Sequence, residues 1–202
     1  MGAAAAVPAG RPLRVFVAET LASAFADDPA FAALFPRDTA RALTDWFDAV
    51  ADVLTGCDLA HVGTHGPAVA VWTTGYCQDC VARLDDRLFE VLNRHAGPTG
   101  VELAAALAEA ADAPEPEDWF LHWIGTPRGE RRAGHGRRLL TRILRESGEA
   151  AAPLWTTTTN PGAVSLYTGL GMSVRAERAA VGRSDLTCWT LCSTPDRSLA
   201  DT

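Results

Sequence analysis

The segment Trp119–Gly136, with the sequence WFLHWIGTPRGERRAGHG, decides which fold can be expected of this chain. Residues 119–126 are almost all apolar and predict a strand, and residues 127–133 form a polar loop rich in arginine. A helix should follow over residues 134–148, because Leu139, Leu140, Ile143 and Leu144 would share one of its faces. A strand and a helix joined through a glycine-containing turn indicate an α/β arrangement.

The same alternation continues toward the carboxyl terminus. A strand is predicted at 154–158, and a short helix that begins at Asn160-Pro161 should run to about residue 170. Two closing strands are predicted at 172–176 and 187–191. The length of 202 residues fits one domain, or one domain with an insertion.

The amino-terminal half combines helices with a hairpin. Its helices are predicted at 13–26, from Asp38 or Thr39 to about residue 54, at 81–95 and at 101–112. Its strands are predicted at 59–62 and 68–74, with the turn at Gly63–Gly66 between them.

The turn Arg131–Gly136, RRAGHG, has the features of an anion-binding site. Backbone N–H groups at the start of a helix have no partner within the helix, and glycine lets a phosphate approach them closely. Arginines in and around the turn would add charged donors, namely Arg128, Arg131, Arg132, Arg137 and Arg138. Two glycines can also simply close a loop, so these residues alone leave both interpretations open.

Two other nucleotide-binding patterns fit the chain less well. The Walker pattern is absent, and all 18 basic residues are arginine, so no P-loop lysine exists. The dinucleotide fingerprint needs a third glycine and a strand near the start of a domain, whereas this turn follows about 130 residues of chain.

The order of several residues resembles the acetyl-CoA-binding core of the GNAT superfamily of N-acetyltransferases. That family has a Q/R-x-x-G-x-G/A turn after its fourth strand, then an Asn-bearing turn, a Tyr and a short "lGF" element. The matching residues here are Arg131, Gly134, Gly136, Asn160, Tyr167 and Leu170-Gly171-Met172.

Within the superfamily the chain is most similar to the puromycin N-acetyltransferase group. The likeness covers Leu13 to Pro195 and includes ASAFADDP at Ala22–Pro29 and AVAVWTT at Ala68–Thr74. It implies a mixed, mostly antiparallel sheet flanked by helices, with two helices inserted between the third and fourth strands. The family's first strand would fall on the alanine-rich Gly2–Val7.

The resemblance also implies that residues 1–202 form one domain whose segments have different functions. Residues 10–96 would form the amine-side half and 97–117 a helix and linker. Residues 118–192 would form the acetyl-CoA-binding core, and 193–202 a tail.

The same resemblance assigns the acetyl-CoA contacts. The strand backbone at Trp123, Ile124 and Gly125 would pair with the amides of the pantetheine arm. Asn160 would lie near the sulfur end of the cofactor. The N–H groups of the turn would hold the diphosphate, and they belong to Arg131, Arg132, Ala133, Gly134, His135, Gly136 and Arg137.

Acyl transfer needs an acid for the leaving thiolate and a base for the amine. Tyr167 occupies the family position whose phenol protonates the sulfur, although a buried tyrosine with its hydroxyl bound to backbone is the plain alternative. His122 is the leading base, with a core histidine as its alternative. If His122 points away, water could carry the proton to Asp118 or Glu117. A backbone N–H near Trp123 or Ile124 would stabilise the oxyanion.

The composition limits the classes of partner and the cellular location that can be expected for this chain. A net charge of -7 argues against general nucleic-acid binding. No apolar run reaches the roughly 18 residues needed to cross a bilayer. The alanine-rich opening lacks a basic signal region, and five cysteines suggest reduced thiols, so a cytoplasmic protein is expected. We expect a monomer or a homodimer.

Cys77-Gln-Asp-Cys80 has the spacing of half a zinc site, with Cys57, His61 and His65 nearby in sequence. No second C-x-x-C exists, and structural zinc requires four converging ligands. The sequence therefore predicts plain thiols and no metal.

The expected activity is transfer of an acetyl group from acetyl-CoA to the amine of a small molecule, such as an antibiotic or another secondary metabolite. Many puromycin-type relatives carry a glutamate on the strand where this chain has Thr157. That difference keeps open a biosynthetic enzyme with a longer acyl-CoA or an unusual acceptor. A sensor module that binds acyl-CoA without turnover is the non-enzymatic alternative.

Overall fold

A computed structural model describes residues 12–112 and 114–194 of the chain. Six strands are present in this part: β1 Ala60–His65, β2 Ala68–Thr73, β3 Trp119–Gly125, β4 Leu154–Thr158, β5 Ser173–Ala180 and β6 Arg183–Cys192. Seven helices accompany them: α1 Leu13–Ala24, α2 Pro29–Leu34, α3 Thr39–Leu54, α4 Gln78–His95, α5 Gly97–Ala110, α6 His135–Glu149 and α7 Pro161–Thr168. A 3-10 turn at Arg128–Glu130 precedes α6.

The six strands form one sheet in the order β1-β2-β3-β4-β6-β5. Every neighbouring pair is antiparallel except β3 and β4, which run parallel. The mostly antiparallel sheet confirms the predicted fold class. The helices α4 and α5 lie between β2 and β3, which are the third and fourth strands when the strand predicted at Gly2–Val7 is counted as the first. The strand expected at Gly2–Val7 lies outside the described residues.

Strand β2 organises the core because both of its faces are buried. Val69 and Val71 pack with the helices α1 to α5 on one side of the sheet. Ala68, Ala70 and Trp72 pack with α6 and α7 on the other. The domain is therefore a three-layer structure, with α1–α5, the sheet and α6–α7 as its layers. No helix in the described ranges has the length and apolar character that a bilayer span requires.

Two aspartates start consecutive helices on the α1–α5 side. The Asp28 carboxylate accepts hydrogen bonds from the N–H groups of Ala30 at 3.0 Å and Phe31 at 3.4 Å, and so begins α2. Asp38 accepts one from the N–H of Arg41 at 3.2 Å and begins α3. Short polar side chains in this position satisfy N–H groups that the helix itself leaves free. Asp38, rather than Thr39, is the cap.

Some predicted boundaries were wrong. Strand β1 continues through Gly63 to His65, so the hairpin turn lies at Gly66-Pro67, where Gly66 has a φ of +56°. Gly97 begins α5 instead of ending the preceding helix. The closing strands are longer than expected and form the hairpin 173–180 and 183–192, because pairing between them compensates for their many exposed polar residues.

Helix α1 lies unusually close to β3 at Gly125. A Cβ at this position would sit 2.5 Å from the Ala24 Cβ and 3.2 Å from the Leu21 Cδ2 atom. Only glycine allows this approach, which places the end of α1 directly beside the end of β3.

We expect Gly125→Ala to lower the free energy of unfolding by about 1–3 kcal/mol, because the added methyl must push α1 away from the sheet. Urea denaturation followed by circular dichroism measures this change. Gly129→Ala is the matched control, since a Cβ there would meet no atom within 4 Å. Equal stabilities of the two variants would contradict the close packing of α1 on β3.

Candidate active site

The parallel strands β3 and β4 separate halfway along their length. They pair at Trp119–Leu154, Phe120–Trp155 and Leu121–Thr156, and within the described residues their ladder ends there. Beyond this point β3 stays paired with β2, and β4 stays paired with β6. The facing edges of β3 and β4 therefore leave backbone N–H and C=O groups without a strand partner.

His122 is an extra residue at this point of β3. Val71 pairs with Trp123 and Trp72 pairs with Leu121, so the register shifts by one residue and His122 has no partner on β2. Such a β-bulge bends its strand and redirects side chains. The bulge coincides with the place where β3 leaves β4.

A cavity of about 890 Å³ occupies the space between the separated strands. Its lining includes residues of α1, α2, α3 and α5 on one side of the sheet and of α6 and α7 on the other. It therefore passes through the sheet and has one polar and one mainly apolar end. The apolar end is formed by Phe25, Phe31, Leu34, Trp46 and Leu107.

The polar end is the start of α6. Gly134 precedes the helix with a φ of +81°, a conformation that favours glycine, and no side chain caps the helix. The first backbone bond of this helix is donated by the N–H of Arg138 to the Gly134 carbonyl at 3.0 Å. The N–H groups of the preceding first turn are left for an external acceptor, and the helix dipole makes an anion the favoured one.

The arginines near this turn are mostly engaged with the protein. Arg131 donates to the Asp27 carboxylate at 2.7 and 2.8 Å and to the Ala24 carbonyl at 2.6 Å, which ties the turn to the end of α1. This pairing lowers the pKa of Asp27. Arg137 donates to the Gly169 carbonyl and Arg138 to that of Ala133, both at 3.3 Å.

Arg132 differs from these neighbours. It lines the cavity, as Arg131 does, but its φ is +69°, which is uncommon for a residue other than glycine. The five arginines remain predicted donors to a phosphate, and the side chain of Arg131 already holds the turn in place through Asp27 and Ala24.

Seven of the eleven predicted cofactor-binding residues line the cavity: Trp123, Ile124, Gly125, Arg131, Arg132, Gly136 and Asn160. Ala133, Gly134, His135 and Arg137 do not, although they belong to the same turn. The His135 ring lies 5.9 Å from that of His65, between α6 and the β1–β2 hairpin. Asn160 caps α7, because its Oδ1 accepts the N–H of Gly162 at 2.9 Å.

Tyr167 lies close to the point where the strands separate. Its side chain is buried, and burial raises its pKa to about 12, against the smaller effect of a hydrogen bond with Thr156. The Thr156 hydroxyl itself donates to the Leu121 carbonyl at 2.9 Å, across the last paired rung of β3 and β4. The phenol therefore remains protonated at neutral pH and faces the same cavity as His122.

His122 is surrounded by other rings. Its ring centroid lies 4.9 Å from that of Phe120 and 5.4 Å from that of Trp123, and its Nε2 is 3.2 Å from the Thr73 hydroxyl. Burial lowers its pKa to about 4. The imidazole is therefore neutral at pH 7 and can accept a proton, but it is a weaker base than the sequence suggested.

The two alternative bases lie away from this cavity. Asp118 is buried and accepts the indole N–H of Trp155 at 2.7 Å. It lines a second cavity of about 260 Å³, which His122 also lines. Glu117 is exposed and lines neither cavity.

Asp28 is a cavity residue that the sequence analysis did not identify. Its carboxylate is buried beside the apolar end of the cavity, and burial raises its pKa. One of its oxygens caps α2, as described above, and the other is available to a ligand. The sequence signal is the Asp-Asp-Pro segment at 27–29, because an aspartate directly before a proline is typical of a helix start.

Comparisons with known proteins support the fold. No protein-family model and no curated protein sequence matches the chain. A Corynebacterium glutamicum protein described as histone acetyltransferase HPA2 and related acetyltransferase superposes with a TM-score of 0.63 and 17% identity, covering 94% of this chain and 96% of that one. This match establishes that the chain has the fold of the GNAT acetyltransferases.

Two further structures are similar at lower scores. A protein described as a candidate acetyltransferase of the GNAT family from Desulfovibrio desulfuricans has a TM-score of 0.49 and 13% identity, covering 90% of this chain and 91% of that one. Chaetomium thermophilum Naa20 in complex with a bisubstrate analogue has a TM-score of 0.46 and 15% identity, covering 91% and 84%.

The lowered pKa of His122 predicts a specific loss of stability in acid. The unfolded chain takes up the proton near 6.5 and the folded protein only near 4, so the unfolded state binds more protons between these values. The free energy of unfolding should fall as the pH decreases from 6.5 to 4, by on the order of 3 kcal/mol for this residue. Urea denaturation across this range measures the effect.

His122→Gln removes the titrating group and keeps a donor for Thr73, so its stability should decline less over the same pH range. The NMR signals of the imidazole give an independent check. Titration of His122 close to its ordinary value would contradict the buried environment described here.

Proposed function

We propose that the protein transfers an acetyl group from acetyl-CoA to the amine of a small molecule, by direct attack in a ternary complex. The observation that supports this most is the cavity between β3 and β4, which joins an uncapped helix start at one end to an apolar pocket with one carboxylate at the other. A phosphorylated thioester and an amine can occupy these ends at the same time.

Acetyl-CoA would bind in the half of the domain formed by residues 118–192. Its pantetheine amides would pair with the free edge of β3 at Trp123, Ile124 and Gly125, as a short added strand. Its diphosphate would accept hydrogen bonds from the N–H groups between Arg131 and Arg137, with Arg132 as a charged side chain that lines the cavity. Asn160 would border the thioester end. Arg131 contributes by positioning the turn.

The chemistry requires one bond to form and one to break. The neutral amine nitrogen attacks the acyl carbon, and the carbon–sulfur bond breaks as the tetrahedral intermediate collapses. Tyr167 donates its phenolic proton to the departing sulfur, a role that suits a hydroxyl kept protonated by burial. A backbone N–H at Trp123 or Ile124 would stabilise the oxyanion.

The proton of the attacking amine needs an acceptor. His122 is neutral and faces the cavity, but its pKa of about 4 makes it a weak base. Asp28 is a second candidate, because burial raises the pKa of its carboxylate and a negative charge in an apolar pocket attracts an ammonium group. We assign Asp28 to binding the acceptor amine. Either His122 or Asp28 would accept the proton that the amine loses.

The acceptor end favours an amine attached to an apolar or aromatic body, since its walls are phenylalanine, tryptophan and leucine side chains. Its identity as an antibiotic or another secondary metabolite, and the puromycin-type grouping, are proposals that rest on the sequence resemblance. Thr157 lines the cavity at the strand position where many relatives of that group have a glutamate. Asp28 would supply the carboxylate that Thr157 lacks.

Purified protein should release free CoA thiol from acetyl-CoA when an acceptor is supplied, and the acceptor should gain the mass of one acetyl group. A panel of aromatic and aliphatic amines, with puromycin included, is screened with a thiol reagent and by mass spectrometry. Cofactor binding without thiol release for any amine would favour a module that binds acyl-CoA without turnover. Failure to bind CoA at all would contradict the proposed site.

Tyr167→Phe should lower kcat at least tenfold with little change in the affinity for acetyl-CoA, because it removes the acid and keeps the ring. The matched control is Tyr76→Phe, at the other tyrosine of the chain, which is exposed. Unchanged turnover in Tyr167→Phe would remove Tyr167 from the mechanism.

Asp28→Asn should lower kcat/KM for the amine at least tenfold and leave KM for acetyl-CoA unchanged, because asparagine still caps α2 but carries no charge. Steady-state kinetics on the best acceptor measure both constants. Asp38→Asn makes the same change at the exposed cap of α3 and should have wild-type kinetics. Similar kinetics of the two variants would contradict a role of Asp28 in acceptor binding.

A further inference from the structure

Three of the five cysteines converge at one place outside the cavity between β3 and β4. The thiol sulfurs of Cys57, Cys77 and Cys80 all lie within 4.8 Å of one another. Cys57 and Cys80 are buried and Cys77 is partly exposed. The other two cysteines, Cys188 and Cys192, lie on β6.

Local structure fixes the positions of the three thiols. Cys77 is the cap of α4, and its sulfur accepts the N–H of Cys80 at 3.4 Å, so the two side chains of the C-x-x-C segment face the same way. Cys57 lies in the tight turn between α3 and β1, where its N–H donates to the Leu54 carbonyl and its carbonyl accepts the N–H of Ala60. The fold thus brings together residues that are twenty positions apart.

The members of the cluster differ in their protonation, since the pKa of Cys77 is lowered and that of Cys80 is raised. The Cys80 thiol and backbone N–H lower the pKa of Cys77, and the side chain of Cys57 acts in the same direction. The charged side chain that acts on Cys77 is Asp79, whose carboxylate opposes thiolate formation. Burial and the two neighbouring thiols raise the pKa of Cys80 to about 12. A bound cation would stabilise all three groups in their deprotonated form.

We propose that Cys57, Cys77 and Cys80 form a site for a zinc ion. Zinc binds thiolates at about 2.3 Å in tetrahedral geometry, which places the sulfurs about 3.8 Å apart. The observed convergence meets this requirement after a small rotation of Cys77 and Cys80, whose sulfurs are 2.8 Å apart. Binding would release the thiol protons to solvent.

The fourth position of this zinc would belong to a water molecule or another external ligand. His61, a nearby histidine in the sequence, has its Nε2 3.2 Å from the Thr74 hydroxyl and its ring stacked on Trp72. His65 lies against His135. Cys77 and Cys80 line the cavity of about 260 Å³, which gives the open position room for an external ligand.

A zinc ion here would join the turn after α3 to the start of α4. The last residue of α3, Leu54, and the start of α4 line the smaller cavity, which His122 also lines from the sheet side. The ion would therefore stabilise the wall of that cavity, a role that is independent of acetyl transfer.

The test uses the full chain, reduced and stripped of metal. Zn²⁺ is titrated in competition with a chromophoric chelator, and Co²⁺ is used as a spectroscopic probe of sulfur coordination. One Zn²⁺ should bind per chain and raise Tm, with a sulfur-to-cobalt charge-transfer band in the Co²⁺ form. Absence of Zn²⁺ binding by the folded, reduced protein would overturn the proposal.

Cys57→Ser should weaken Zn²⁺ binding at least tenfold, and Cys77→Ser should do the same. Cys192→Ala, at a buried cysteine of β6, is the control and should bind Zn²⁺ as the wild type does. Circular dichroism verifies that each variant is folded, and Cys57→Ala serves if Cys57→Ser is not. Wild-type affinity in a folded Cys57 variant would overturn the three-thiolate assignment.

Oxidation provides a further discriminating outcome. A Cys77–Cys80 disulfide that forms in air, together with a reduced protein that ignores Zn²⁺, would identify the segment as a redox pair and overturn the metal site. These experiments measure Zn²⁺ binding, disulfide formation and Tm. Their result therefore does not depend on whether the protein transfers acetyl groups.

Discussion

The separation of β3 from β4 after the Leu121–Thr156 rung is the constraint on which the rest of this structure depends. If β3 and β4 were hydrogen-bonded along their whole length, the sheet would be continuous and would leave no passage between its two faces. The bulge at His122 bends β3 on one side of the separation, and β4 remains paired with β6 on the other. Backbone groups that a sheet would normally satisfy are thereby left for a ligand.

The layers on either side explain why the two ends of the passage differ in chemistry. Helix α6 meets the sheet with its first turn at the passage, so that end carries unpaired N–H groups and a positive dipole. The helices α1, α2, α3 and α5 meet it with aromatic and aliphatic side chains, and the cap of α2 contributes the one buried carboxylate described there. A single opening thus joins an uncapped helix start and an apolar pocket on opposite faces of the sheet.

Local pattern was enough to predict most helices and the strand before the glycine turn, because apolar periodicity and capping residues act over short distances. The mostly antiparallel sheet was implied by the family resemblance. The boundaries of the strands depend on pairing between strands, which the sequence did not reveal. The hairpin turn lies at Gly66-Pro67, later than predicted, and the closing strands are longer than predicted. The reason is that cross-strand register, not composition, sets the ends of strands. The position of Asp28 in the cavity wall and the convergence of Cys57 with Cys77 depend on contacts between distant segments, which local patterns do not encode.

The ion pair between Arg131 and Asp27 links the two ends of the passage mechanically. Asp27 directly precedes Asp28, so the same guanidinium that fixes the anion-binding turn also restrains the segment that holds the buried carboxylate. A diphosphate seated on the turn would compete with Asp27 for Arg131. Under the proposed function, occupancy of one end would then adjust the shape of the other, and the two ligands would bind in a defined order.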